Sequence, residues 1–91
     1  MSGLMGNYIG GSAPAMAAQI AGGFVLVSTH NLRGLTQGEL TTLRFELEKL
    51  QRDARAEVPP QDDALAQQAR YQKISRISSA LQVVIHQMAA K

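Results

Sequence analysis

The chain has 91 residues, a formal net charge of +2 and no cysteine. A domain of this size has a thin core, burying roughly 60–65% of the surface its unfolded chain exposes, so oligomerisation is a natural source of added stability. The missing cysteines exclude disulfides and thiolate metal sites, and so small a net charge does not by itself argue for a nucleic-acid partner.

The first thirty-two residues contain no Asp, Glu, Lys or Arg. Residues 1–11 are glycine-rich and are expected to form a flexible uncharged N-terminus, followed by a single small helical domain over 12–91. From Ser12 the pattern favours an apolar helix over about 13–33. Ser12 can cap it, Pro14 is tolerated in its first turn, and Arg33-Gly34 supplies a basic last turn with a glycine beyond it. Met16, Ile20, Phe24 and Val27 would then share one stripe. Gly22-Gly23 opposes this helix by about 2 kcal/mol relative to two alanines and predicts a kink. The competing assignment is a short strand at Phe24-Val25-Leu26-Val27-Ser28-Thr29, whose β-branched content suits an extended chain but whose edge would need a partner. A membrane span is disfavoured by the interruptions at Pro14, Gln19 and the glycines, and a secretory signal by the absence of a basic start.

The next element starts with Thr36 and Glu39, three residues apart, as in a capping box, with Leu35 and Leu40 placed as a hydrophobic staple. Leu40, Leu43, Leu47, Leu50 and Ala54 follow at spacings of three and four, predicting an amphipathic helix over about 36–57. Glu48 and Arg52 are ordered for a favourable i,i+4 pair. Pro59-Pro60 ends the helix, and Asp62 or Asp63 can cap a second one over about 62–90. Ile74, Ile77, Leu81, Val84 and Met88 form its stripe. The fold class is therefore all-α, an antiparallel helical hairpin with an additional N-terminal helix or strand. The second hairpin helix is the longer by about 12 Å. Its apolar stretch from Leu81 to Met88 is expected near or beyond Thr36, where the uncharged segment would cover it.

A search for chemistry finds no catalytic set. His30 and His86 are the only histidines, neither has a carboxylate at metal-ligand spacing, and Ser28-Thr29-His30 lacks a positioned base and an oxyanion site. The glycines match neither a phosphate-binding nor a dinucleotide-binding pattern. No catalytic residue, metal or cofactor is expected.

The expected role is a small non-catalytic interaction or assembly module that self-associates or docks another protein. Ile20, Phe24 and Leu26 are the candidate partner-binding residues of the opening segment, and Phe45, opposite the leucine seam, is the fourth. A small nucleic-acid-binding regulator is the first alternative, using Arg70, Lys73 and Arg76 against phosphates. These three drift around the helix, however, and could instead pair with Glu46, Asp53 or Glu57. The second alternative is a subunit of a secretion-associated or extracellular filament. An uncharged start followed by a helical hairpin with a proline-containing turn is similar in general plan to secretion-needle subunits, although no motif carries the likeness further. The cytoplasm is the expected location under the first two readings.

Overall fold

A computed structural model describes residues 8–90 of the chain. Its helices run α1 (Ala13–Ala21), α2 (Thr29–Leu32), α3 (Gln37–Ala56) and α4 (Ala64–Ala90), with no strand among the described residues. The fold is all-α, and α3 and α4 form its long packed pair.

Each boundary has a local cause. Thr36 Oγ1 accepts from the Glu39 N–H at 3.1 Å while the Glu39 carboxylate accepts from the Thr36 N–H at 2.9 Å, a reciprocal cap that satisfies two otherwise unpaired groups. Leu35 and Leu40, flanking this cap, are both buried in the core. At the other hairpin helix Asp63 is the capping residue, its Oδ1 accepting from the Ala66 N–H at 3.0 Å. The turn between them is closed from α4. Arg70 donates from Nε to the Ala54 carbonyl and from Nη2 to the Arg55 carbonyl, and Gln67 Nε2 donates to the carbonyls of Pro59 and Pro60. A guanidinium on the last carbonyls of α3 satisfies acceptors that the helix cannot pair and lies at the negative end of its dipole.

These ties also set the hairpin's register. Gln37 Nε2 donates to the Met88 carbonyl at 2.8 Å, so α3 begins level with the end of α4. Helix α4 has 27 residues against 20 in α3. With Arg70 at the level of Ala54 and Arg55, the excess lies on the turn side, so of the two positions expected for Leu81–Met88, near Thr36 or beyond it, the first is the one found. Leu65 and Val58 on that side are largely exposed, because no other helix reaches them.

The helix expected over 13–33 is three pieces. Ser12 caps α1 as anticipated, accepting from the Ala15 N–H. At the far end Gly23 takes φ +83°, its N–H donates to the Ile20 carbonyl, and the Phe24 N–H donates to the Gln19 carbonyl. This is a Schellman closure, in which the left-handed residue is the one glycine tolerates at little cost. The two glycines thus stop the helix instead of kinking it, and the left-handed glycine is Gly23, not Gly34. Residues 24–28 then run without regular structure to α2, where Ser28 and Asn31 form a second capping box.

The core lies where α1 crosses the hairpin. Met16, Ala17 and Ile20 meet Leu40, Leu43, Leu47, Ile77, Ala80, Leu81 and Val84 there, and Leu32 and Leu35 complete the cluster from α2 and the corner after it. The uncharged segment therefore does cover the apolar end of α4. Of the stretch 1–11 expected to be flexible, residues 1–7 lie outside the described residues. Tyr8 and Ile9 pack against the core, and the Tyr8 hydroxyl donates to the Glu39 carbonyl at 2.8 Å.

Candidate interaction surface

The residues singled out by sequence separate into three groups. Ile20, at 2% exposure, belongs to the intramolecular core. It faces α3 and α4 and is not available to a partner while α1 stays docked. Phe24, Leu26 and Phe45 are exposed at 83%, 90% and 57%, on the linker after α1 and on the outer side of α3. The stripe expected to carry Phe24 ends at Ile20, because the helix itself ends there.

The basic trio of α4 does not present three free cations. Arg70 is committed to the end of α3, and Arg76 Nη1 donates to the Ala21 carbonyl at 3.1 Å, closing the end of α1. The acidic groups that spacing offers them, Glu46, Asp53 and Glu57, are not used. Lys73 is half-buried and makes no ion pair among the described residues. On α3, Glu48 pairs with Arg44 at 3.1 Å instead of with Arg52, and Glu46 with Lys49 at 3.6 Å. Both are i,i+4 or i,i+3 contacts at the helix surface and contribute little to stability.

What holds Phe24 and Leu26 outward is the alternation of the linker. Val25 and Val27 are half-buried against the core, whereas Phe24, Leu26 and Ser28 face solvent. That period of two is the pattern of an extended chain lying on a surface. The sequence pattern favours a helix here, and the signal that could have found the extended arrangement is the Val-Leu-Val alternation after a glycine stop. Beneath the linker lies a cleft of about 270 Å³, walled by Ile20, Val25 and Val27 on one side and Arg76, Ala80 and Val83 on the other.

No known family, curated protein or solved structure matches the chain. The surface therefore stands on its own chemistry. It is apolar, it contains no carboxylate, and its one cation already serves a helix end. Among the described residues no cluster of three His, Asp or Glu is placed to hold a metal ion, and no helix is long and apolar enough to cross a membrane. His30 and His86 are both exposed. Ser28, close to His30 in sequence, is occupied as a helix cap.

Chemically, then, the linker offers two large apolar side chains turned outward by the packing of Val25 and Val27 on the core. A chain anchored at alternate residues has less backbone freedom to lose on docking than an unanchored loop of the same composition.

Proposed function

We propose that this chain is a small non-catalytic assembly module whose 24–28 linker associates with a second copy or another protein, with Phe45 as a secondary contact. One observation carries the reading: Phe24 and Leu26 stand 83% and 90% exposed while the valines between and after them anchor the same linker to the core. An isolated exposed Leu needs no explanation, but paired large apolar residues held outward beside an apolar cleft match the anchor residues of interfaces.

Sedimentation over a range of concentrations tests it, comparing the native chain with the double variant Phe24→Ser, Leu26→Ser. Both side chains are outside the core, so the variant should keep its helix content. The expected outcome is a native mass that rises with concentration and a variant that stays monomeric. A native chain that remains monomeric throughout removes self-association. Deleting residues 1–30 is a poor substitute for this experiment, because it would strip Met16, Ala17 and Ile20 from the core.

A further inference from the structure

The linker's main-chain hydrogen bonds are distributed unevenly between its two edges. In an extended chain, alternate residues direct their N–H and C=O groups to opposite sides. The groups of Phe24, Leu26 and Ser28 that are paired are paired within the chain. The Phe24 N–H donates to the Gln19 carbonyl, the Leu26 carbonyl accepts from Asn31 Nδ2 at 3.1 Å, and the Ser28 N–H donates to Asn31 Oδ1 at 3.0 Å. Val25 and Val27 make no hydrogen bond to any described residue through N–H or C=O. One edge of the linker is thus mostly tied to its own fold, with the Phe24 C=O and the Leu26 N–H left over, while on the other edge all four groups of Val25 and Val27 are unpaired, two donors and two acceptors two residues apart.

We propose that this free edge pairs antiparallel with the same edge of a second copy, forming a short two-stranded ribbon centred on Leu26. The proposal rests on the assembly reading above and names its occupant. In that register Val25 faces Val27 of the second copy and exchanges both hydrogen bonds with it, and the two-fold axis repeats the exchange on the other side of Leu26. All four unpaired groups are then satisfied. Leu26 meets Leu26 of the second copy as the non-hydrogen-bonded pair, and Phe24 lies opposite Ser28. A two-fold axis places like residues near each other, so any charge near its centre would be opposed by its own copy. Residues 24–28 hold none. The β-branched valines favour the extended pairing, and an apolar edge of this kind invites a strand partner.

The chain's lack of cysteine makes the register directly testable. The non-hydrogen-bonded pair puts its Cα atoms about 4.5 Å apart, within the range a disulfide spans. Leu26→Cys changes an exposed residue and leaves the core intact. Under mild oxidation at concentrations where the native chain self-associates, it should convert from monomer to a disulfide-linked dimer, while the control Arg52→Cys should remain largely monomeric. Hydrogen exchange on the native chain gives the second readout. The Val25 and Val27 amides should slow by about tenfold or more as concentration rises, while the Leu26 amide, on the other edge, does not. A self-associating chain in which the Leu26→Cys variant cross-links no faster than the Arg52→Cys control, and in which the valine amides stay unprotected, overturns the ribbon and leaves the assembly reading in place. A chain monomeric at every concentration removes both.

Discussion

Arg76 and Ala21 are 55 positions apart in sequence, yet Arg76 Nη1 lies 3.1 Å from the Ala21 carbonyl oxygen. Through this hydrogen bond α4 ties down the end of α1, just ahead of the Gly23 closure from which the 24–28 linker departs. Arg70 does the same for α3, so two arginines less than two turns apart on α4 seal the C-termini of both helices.

Replacing Arg76 with Gln should accordingly weaken the docking of α1 more than the hairpin. The loss expected is about 1 kcal/mol, the value of one hydrogen bond to a helix-end carbonyl at a partly exposed site. Urea denaturation would measure the total. Hydrogen exchange should show the α1 amides affected before those of α3, whose end is still held by Arg70.

The caps give a sharper contrast. Thr36→Ala removes one half of a reciprocal pair at the start of the 20-residue helix α3 and should cost about 1 kcal/mol of global stability. Ser28→Ala removes the equivalent group from α2, which has four residues. Its cost should appear chiefly as faster local exchange around residues 28–32, with a smaller shift of the denaturation midpoint. Equal midpoint shifts for the two variants would contradict this ranking.

Much of this was legible in the sequence, and what was legible is local. Thr36 and Glu39, Ser12, the leucine seam and the proline-terminated turn each declare themselves within a few residues, and each is found where expected. The destinations of Arg70 and Arg76 were not, because nothing near them in sequence reports a carbonyl at the end of another helix. Glu48 had Arg44 and Arg52 at equal sequence distance, and spacing alone cannot choose between them. The opening segment failed for another reason. Gly22-Gly23 is read equally as a costly helix interior and as a helix stop, and the stop pairs two carbonyls and lets Val25 and Val27 reach the core. Of the candidate surface residues, Leu26 and Phe45 were recognisable as large apolar side chains outside any seam, whereas Phe24 was assigned to one stripe with Ile20, a stripe that the end of α1 cuts short. Ile20 was not separable from them until the end of α1 was known.

Gly22 and Gly23 should respond oppositely to alanine. At Gly23 the backbone has φ +83°, and an added methyl carbon would sit 3.0 Å from Arg76 Nε. Gly23→Ala should therefore destabilise by about 1–2 kcal/mol and disturb the Arg76 contact as well. Gly22 has φ −78°, which alanine adopts readily. The closest group to its added methyl would be the Phe24 ring, at 2.9 Å, and that ring is exposed and free to turn away. Gly22→Ala should stabilise by up to about 1 kcal/mol through the unfolded chain's lost freedom. Denaturation midpoints moving in opposite directions are the expected result.

Tyr8 supplies a pH dependence at the alkaline end. Burial against the core pushes its phenol pKa above the ordinary value, the neighbouring Thr42 hydroxyl works against the rise, and the nearby Glu39 charge adds to it. The neutral phenol is also the form that donates to the Glu39 carbonyl. Because the folded pKa is the higher one, the unfolded chain loses its proton first as the solution becomes alkaline. The contribution of Tyr8 to stability is thus fully present below the ordinary phenol pKa and is lost as pH rises through the raised value. Ultraviolet titration of the phenolate should place Tyr8 above its position in the denatured chain. Tyr8→Phe should remove this part of the alkaline dependence and, at neutral pH, cost about 1 kcal/mol for the lost hydrogen bond. If the phenylalanine variant kept the native chain's full alkaline loss of stability, the Tyr8 hydroxyl would not be its source.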